Sequence, residues 1–152
     1  MNEKNLEVLK IEHQLCFPLY AASREVIKQY TPYLNQMDLT YTQYVVMLAL
    51  WENGEMTVKE LGRMLYLDSG TLTPLLKKLE AKGFVTRTRS HKDERNLIVG
   101  VTETGLNLRE QALGIPDEIQ AKTRMSYEEM KSLYDLLYRL LECLDSVENS
   151  AK

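Results

Sequence analysis

The sequence contains few of the residues that build disulfides, metal sites or membrane spans. Its 152 residues include two cysteines, Cys16 and Cys143, which are too few and too far apart for a disulfide framework. The two histidines cannot complete a metal site with them at any usual ligand spacing. No apolar run approaches the ~20 residues that cross a bilayer, and the polar start MNEKNLEVLK is not a secretory signal. We therefore expect one globular chain without cofactor, metal or membrane contact, located in the cytoplasm.

Positive charge is scarce overall but concentrated in the middle of the chain. The net charge is −3, yet the segment from Thr57 to Leu97 holds nine basic and five acidic residues, a local charge of +4 against −7 for the remainder. Phosphate binding depends on local rather than total charge, so a nucleic-acid partner is allowed. Solvation of helix surfaces is the simpler explanation for Lys59 and Lys82, but it explains the charged cluster after Val85 poorly.

The same segment predicts two short helices followed by a β-hairpin. A capping box, Thr57-x-x-Glu60, begins the first helix. Asp68 or Ser69 caps the second, which Gly83 ends. The core-facing side chains are predicted to be Leu61, Met64 and Leu65 in the first helix and Leu72, Leu75, Leu76 and Leu79 in the second. Strands at 85–90 and 97–101 flank the charged tip HKDERN. This order, helix–turn–helix–wing, places one helix in the major groove of DNA and a basic finger beside it.

The exposed face of the second helix has the composition of a DNA-contacting surface. Small and hydroxyl-bearing residues occupy its first turns and lysines follow, whereas ordinary surface helices favour long charged residues. Small residues let the backbone approach base edges, and hydroxyls and lysines bind phosphates and bases. The candidate contacts are Ser69, Gly70, Thr71, Thr73, Lys77 and Lys78, together with Arg87 and Arg89 of the first wing strand. Pro74 lies early in this helix, where we expect its cost to be small.

The flanking segments are predicted to be helical. Apolar residues at three- and four-residue steps predict a helix over about 3–34, in which Pro18 is either a kink or a helix start and Pro32 a possible break. Residues 39–51 predict a buried helix capped by Thr40 or Thr42. Thr102 and Ser126 cap two later helices, and Ile115-Pro116 breaks or bends the chain between them. The last helix carries a stripe that needs a partner: Met130, Leu133, Leu137, Leu140, Leu141 and Leu144. We expect the two chain ends to pack against their copies in a two-fold dimer.

The stretch DSGTLTPLLKKLEAKGFVTR, followed by KDERN and VTETG, closely resembles the MarR family of bacterial transcription regulators over nearly the whole chain. The resemblance implies a mainly α-helical fold with a small β wing and a winged helix-turn-helix. It also implies a homodimer that grips a pseudo-palindromic operator in double-stranded DNA. The parts would be an N-terminal dimerisation and sensor region (1–36), a DNA-binding lobe (37–101) and C-terminal dimerisation helices (102–152). It further implies that Arg95 reaches the minor groove and that Asp93 orients the wing by pairing with an arginine.

The N-terminal part, QLCFPLYAASREVIKQYTPYLNQMDLTYTQY, resembles the organic-hydroperoxide repressor (OhrR) branch and related staphylococcal-type redox regulators. The resemblance implies that Cys16 is the peroxide sensor and that Tyr30 and Tyr41 of a partner subunit hydrogen-bond its thiolate. Tyr20 lies one turn beyond the cysteine on the same face, and Phe17 with its aliphatic neighbours suits an organic peroxide. Without a second cysteine after the wing, the sensor would be of the one-cysteine type. Its reactants would be an organic hydroperoxide and a low-molecular-weight thiol, and Cys143 would be a core residue.

The chemistry of thiols agrees with this hypothesis. Only a thiolate attacks peroxide quickly, and tyrosine hydroxyls can donate hydrogen bonds to it. If a helix begins near Pro18, free N–H groups and the positive end of its dipole favour the anion as well. From spacing alone, a small buried hydrophobe is the better interpretation of a free cysteine.

Three other functions remain open on the sequence. The first alternative is a MarR-type regulator that is released from DNA by a small aromatic ligand, bound in a pocket lined by Trp51 and tyrosines. A broader redox or virulence regulator is a further alternative within the same fold. A thiol peroxidase would need an arginine or threonine that activates the peroxide, and none is visible near Cys16. We therefore expect no enzyme activity. A pure dimerisation or adaptor module would leave the hydroxyl- and lysine-bearing face without a role.

Overall fold

A computed structural model describes residues 6–90 and 96–150, which form two compact units divided between Ile115 and Pro116. Two 3₁₀ turns (Glu7–Leu9 and Ile11–His13) precede the first α-helix. The regular elements are α1 (Cys16–Gln36), α2 (Tyr41–Asn53), β1 (Glu55–Thr57), α3 (Val58–Leu65), α4 (Ser69–Ala81), β2 (Val85–Arg89), β3 (Leu97–Val101), α5 (Glu103–Ala112), α6 (Ile115–Thr123) and α7 (Tyr127–Ser150). The predicted mainly helical fold with a small β wing is confirmed. Within these described residues, no helix has the length and apolar character to cross a bilayer.

The core of the first unit is built on α2, as its unbroken apolar sequence predicts. Thr40 caps the helix in a reciprocal box with Gln43: the Gln43 N–H donates to Thr40 Oγ1 (3.3 Å) and the Thr40 N–H donates to Gln43 Oε1 (3.0 Å). The buried apolar side chains of α2 meet the predicted apolar face of α4, and the following residues are fully or nearly fully buried: Tyr44, Val46, Met47, Leu50, Leu61, Leu72, Leu75, Leu76 and Leu79. A helix buried on most of its surface is a rigid support for the elements around it.

The sheet has three strands in the order β1-β3-β2, and all pairs are antiparallel. The predicted hairpin is confirmed, with Val85 opposite Val101 and Arg89 opposite Leu97. The third strand, β1, pairs with the far side of β3 and was not predicted. Three residues are too few to show an alternating pattern, and their pairing joins parts of the chain more than forty residues apart.

The N-terminal prediction is partly wrong. The chain forms two 3₁₀ turns instead of a continuous helix, and Lys10 and Gln14 are extended. Residues 1–5 of the predicted helix lie outside the described residues. α1 begins at Cys16, so Pro18 is in its first turn, where a missing N–H costs nothing; of the two alternatives for Pro18, a helix start is confirmed and a kink is wrong. Pro32 lies inside α1, which continues to Gln36, so the predicted break there is wrong as well.

Three smaller expectations are also corrected. Met64 is exposed rather than in the core, and Cys143 is exposed on α7 rather than buried. Pro74 is the sixth residue of α4, beyond the first turn in which proline is tolerated freely. Lys82, for which solvation was the simple explanation, is half-buried: its Nζ donates to the Asp38 carbonyl and lies 3.2 Å from Asp38 Oδ2. It therefore ties the end of α4 to the turn between α1 and α2.

A tight corner joins α4, β2 and α5. The Thr102 Oγ1 donates to the Gly83 carbonyl (2.6 Å) and accepts from the Gly105 N–H (3.0 Å), which caps α5 as predicted. Gly83 has φ +76°, a backbone conformation that favours glycine. A Cβ added to Gly105 would lie 2.1 Å from the backbone oxygen of Phe84. Only glycine therefore fits where α5 starts against this corner.

The second unit consists of most of α6 and all of α7. Ser126 caps α7 through the predicted box with Glu129, whose N–H donates to Ser126 Oγ (3.2 Å). The rings of Tyr134 and Tyr138, one turn apart, pack in a tilted arrangement with centroids 4.6 Å from each other. The predicted stripe is largely uncovered in the single chain, with Leu133, Leu137 and Leu144 exposed. An apolar stripe of this length in water calls for a partner.

Candidate nucleic-acid interface and cysteine site

The first turn of α4 is held by a charged cap. Asp68 Oδ1 accepts the Thr71 N–H (2.8 Å) and Oδ2 accepts the Thr71 hydroxyl (2.9 Å). The hydrogen bond from the Thr71 backbone, followed by the one from its side chain, holds the pKa of Asp68 below its ordinary value. A Cβ on Gly70 would lie 2.9 Å from Asp68 Oδ1, so this glycine leaves room for the cap.

The predicted contact residues of α4 do share one exposed face. Ser69, Gly70, Thr71, Thr73, Lys77 and Lys78 are all exposed. The Thr73 hydroxyl donates to the Ser69 carbonyl (2.7 Å), and the Thr71 hydroxyl donates to the cap. Their protons are thus engaged within the helix, and toward an outside partner both hydroxyls act as acceptors. The side-chain donors that this face offers are the two lysines and the hydroxyl of Ser69.

A groove of about 500 Å³ lies between α3, α4 and the wing strands. Lys59, Arg63 and Arg87 line it together with Ser69 and Thr73. Lys59 and Arg63 were not among the predicted contact residues, although their i, i+4 spacing places them on one face of α3. The structure therefore widens the basic surface beyond α4 and the wing.

The wing residues named from the sequence differ in their surroundings. Arg87 forms an ion pair with Glu80, with Nη2 2.5 Å and Nε 2.9 Å from the same carboxylate oxygen. Arg89, at the end of β2, is exposed. Asp93 and Arg95 fall outside the described residues. The structure thus brings Arg87 against α4 and leaves Arg89 further along the strand.

Cys16 is the first residue of α1 and is exposed. The preceding residue, Leu15, provides no side-chain cap for the first turn. The Phe17 N–H donates to the Gln14 carbonyl (3.3 Å) and Pro18 has no N–H, so the helix dipole is the feature that favours a negative charge at this position. Leu15 and Phe17 are exposed on either side of it and give the surroundings an apolar character. Within the described part of the chain, no three His, Cys, Asp or Glu side chains come close enough to hold a metal ion.

Tyr20 contacts Arg24, an interaction that was not predicted from the sequence. The Arg24 Nη1 donates to the Tyr20 hydroxyl (3.1 Å), and the guanidinium lies 5.3 Å from the centre of the ring. The i, i+4 spacing of the two residues was the available signal. A hydroxyl that accepts from a cation is polarised and becomes a better donor to an anion.

Tyr30 and Tyr41 do meet, with ring centroids 5.1 Å apart in an edge-on arrangement. Burial raises the pKa of both hydroxyls, and it raises the pKa of neighbouring Tyr44 to about 12. All three are therefore neutral O–H groups at physiological pH, which is the state that can donate a hydrogen bond. Cys16 and Tyr30 belong to the same helix fourteen residues apart, a separation of about 21 Å along its axis. No side chain bridges that distance within one chain.

A row of aromatic rings continues from this pair along α2. Tyr44 lies 5.9 Å from Tyr30 and 6.2 Å from Trp51, measured between ring centroids. The Trp51 indole N–H donates to the Gly105 carbonyl (2.9 Å), at the start of α5. The tyrosine pair is thus connected through Tyr44 and Trp51 to Gly105, at the start of α5.

Comparison with known proteins decides the family. The chain is 49% identical over 142 residues to the organic hydroperoxide resistance transcriptional regulator of Bacillus subtilis, a match that covers 93% of this chain and 97% of the relative. The chain belongs to the MarR family of transcriptional regulators. The family model for the transcriptional regulator SarA/Rot matches residues 28–111 of this MarR-family chain. The regulator SarZ of Staphylococcus haemolyticus is 46% identical over 86% of this chain and 89% of its own length.

Solved structures agree with this assignment. AbfR of Staphylococcus epidermidis superposes with a TM-score of 0.75 at 37% identity, covering 93% of this chain and 98% of AbfR. Reduced AbfR bound to DNA gives a TM-score of 0.75 at 37% identity, covering 92% of this chain and 98% of that one. Overoxidized AbfR bound to DNA gives 0.74 at 36% identity with the same coverage. The winged-helix fold of this MarR-family chain is thereby confirmed.

Proposed function

We propose that this chain is a DNA-binding transcriptional repressor that senses organic hydroperoxides through oxidation of Cys16. The observation that carries the proposal is the exposed thiol at the uncapped start of α1, in a chain closely similar to an organic hydroperoxide resistance regulator. Regulation of this kind takes place in the cytoplasm, where the operator and small thiols are found. A sensor thiol is consumed once per oxidation, so no turnover is expected.

The functional unit is proposed to be a two-fold homodimer. Exposed apolar side chains occur in the N-terminal turns and along α7, which supports pairing through the chain ends. The separation of about 21 Å between Cys16 and Tyr30 within α1 supports the same conclusion. If two α1 helices pair in opposite directions, the thiol of one chain faces Tyr30 and Tyr41 of the other. A neutral phenol then donates to the thiolate from the partner subunit.

DNA binding is assigned to α4, the wing and the groove between them. α4 enters the major groove with its Ser69–Lys78 face, and two lobes of one dimer read the two halves of a pseudo-palindromic operator. Lys59 and Arg63 add phosphate contacts from α3. Arg95 at the wing tip is assigned to the minor groove, and Asp93 to orienting that tip; both lie outside the described residues.

The chemical step needs an organic hydroperoxide and then a small thiol. The Cys16 thiolate attacks the terminal oxygen of the hydroperoxide, a sulfur–oxygen bond forms, the O–O bond breaks and the alkoxide leaves as an alcohol after taking a proton. The resulting sulfenic acid condenses with a low-molecular-weight thiol to a mixed disulfide and releases water. Cysteine is oxidised and the peroxide is reduced, and no second protein cysteine takes part.

Oxidation removes the anion to which the tyrosines donate and adds bulk beside them. Tyr30 and Tyr41 then lose their position, and the ring contacts through Tyr44 and Trp51 carry that change toward the start of α5 at Gly105. The lobes would leave the spacing of the operator half-sites. The alternative of release by a small aromatic ligand is less well supported, because the Trp51 ring packs on Tyr44 and its N–H is already engaged.

The direct test is fluorescence-anisotropy binding to the DNA upstream of the protein's own gene, at fixed salt, with and without an organic hydroperoxide plus a small thiol. Wild type and Cys16→Ser are compared, with Cys143→Ser as the matched control. We expect peroxide to release wild type and Cys143→Ser but not Cys16→Ser. If Cys16→Ser is released equally, or if all three stay bound, redox sensing by Cys16 is refuted and a screen of aromatic ligands follows.

A further inference from the structure

We infer that Arg87 is a positioning residue rather than a DNA contact: its ion pair with Glu80 sets the direction of the wing relative to α4. The inference rests on the proposed DNA-binding function. It also changes the role expected from the sequence, in which Arg87 was counted among the DNA-contacting residues.

The strand pattern turns Arg87 toward the helix. Side chains alternate between the two faces of β2, so Val85, Arg87 and Arg89 share one face. Val85 is buried in the core, whereas Arg89 is exposed. Arg87 lies between these two environments, with 19% of its side chain exposed, against 38% for Glu80. The arginine is therefore at the level where the wing leaves the body of the lobe.

The pair occupies two of the five guanidinium donors of Arg87 and places a carboxylate against its charge. Nε and Nη2 both donate to Glu80 Oε2, at 2.9 and 2.5 Å. The carboxylate beside it cancels most of the charge that would attract an anion. A planar guanidinium held through two donors is also fixed in orientation, which suits a brace better than an adaptable phosphate contact.

The pair spans the turn that determines the direction of the wing. Residues 82–84 connect α4 to β2, and Gly83 within them has a positive φ of +76°. The backbone of this turn is held by the Gly83 N–H, which donates to the Glu80 carbonyl (2.9 Å), and by the Phe84 N–H, which donates to the Leu79 carbonyl (3.0 Å). The Glu80–Arg87 contact closes this turn on its outer side, while buried Leu79 and Val85 close it in the core. With the brace in place, α4 and the strands of the wing keep one relative orientation.

The test compares Glu80→Gln, Arg87→Gln and the double variant in binding to the operator and to unrelated DNA over a range of salt concentrations. A positioning role predicts that each single variant weakens operator binding by roughly tenfold. The double variant should be no weaker than either single one. Binding to unrelated DNA and the salt slope should not change. Lys77→Ala is the contrasting variant, since loss of one phosphate contact in each lobe lowers the slope of log K against log salt by about 1.8.

Whether Glu80→Gln weakens operator binding distinguishes a positioning role of Arg87 from a direct phosphate contact. If Arg87 binds phosphate, removal of its competing carboxylate leaves affinity unchanged or raises it, and Arg87→Gln lowers the salt slope as Lys77→Ala does. Either result overturns the inference. Glu25→Gln, which neutralises a carboxylate in the exposed pair with Lys28, is the control for a general effect of charge. Should Arg87→Gln fail to fold, the sign obtained with Glu80→Gln decides by itself. If the wild type binds the operator no more tightly than unrelated DNA, the proposed function on which the inference depends is refuted instead.

Discussion

The distance between Cys16 and Tyr30 within one helix makes a prediction about mixed dimers. If the thiol of one chain meets the tyrosines of the other, a dimer of one Cys16→Ser chain and one Tyr30→Phe chain keeps one complete sensor. The remaining Cys16 belongs to the Tyr30→Phe chain and faces the intact Tyr30 of its partner. If the site were formed within one chain, the same dimer would hold no complete sensor.

The size of the difference follows from one charged hydrogen bond. Loss of such a bond costs about 1.5–3 kcal/mol, which lowers the thiolate fraction roughly 12- to 150-fold. A less stabilised thiolate is a better nucleophile, and this recovers nearly half of the effect on a logarithmic scale. The expected slowing of oxidation is therefore about 4- to 16-fold when Cys16 faces phenylalanine.

The assay uses two chains with different affinity tags, purified in tandem, in a Cys143→Ser background that leaves Cys16 as the reacting thiol. Oxidation by an organic hydroperoxide is quenched at intervals and followed by mass spectrometry. We expect the mixed dimer to react at the wild-type rate per thiol and the Tyr30→Phe homodimer to react slowly. Tyr33→Phe, the same change one turn along α1, should have no effect. A mixed dimer as slow as the Tyr30→Phe homodimer would refute assembly of the site between subunits.

Three further predictions concern the lobe itself. Gly105→Ala should lower the free energy of unfolding by about 3 kcal/mol, because the new Cβ meets a backbone oxygen at 2.1 Å; an unchanged urea midpoint would contradict the fit described for the α5 corner. Hydrogen bonds from Thr71 lower the pKa of Asp68 in the folded protein. The stability that this cap contributes is therefore complete above the ordinary carboxyl pKa, and it is lost as the pH falls through the lowered pKa of the folded protein. Thermal melts of Asp68→Asn should therefore depend less on pH below about pH 4, and an identical profile would exclude the Thr71 cap as the cause. Lys82→Met should cost about 1 kcal/mol by loss of its Asp38 contacts, and no change in melting temperature would show that the contact is not stabilising.

The local signals in the sequence were sufficient for most of the helices and for the wing hairpin. Capping boxes at Thr57 and Ser126, the cap at Asp68 and the apolar spacing from Leu72 to Leu79 each act over three to seven residues. Interactions between residues so close in the sequence can be predicted from their spacing alone, so the helix–turn–helix–wing order was predicted correctly. The same signals placed the exposed face of α4 and the buried α2.

Tertiary structure decided the features that depend on distant parts of the chain. β1 forms because its backbone pairs with one edge of β3. Lys82 is half-buried because the turn between α1 and α2 lies against it. Pro18 and Pro32 were ambiguous because proline is harmless in a first turn and tolerated where packing supports the helix, which periodicity alone does not show. The role of Arg87 depends on the same kind of contact. The sequence alone determined which residues carry charge, hydroxyl and thiol groups. Only the folded chain decided which of these groups face outward and which form hydrogen bonds or ion pairs with one another.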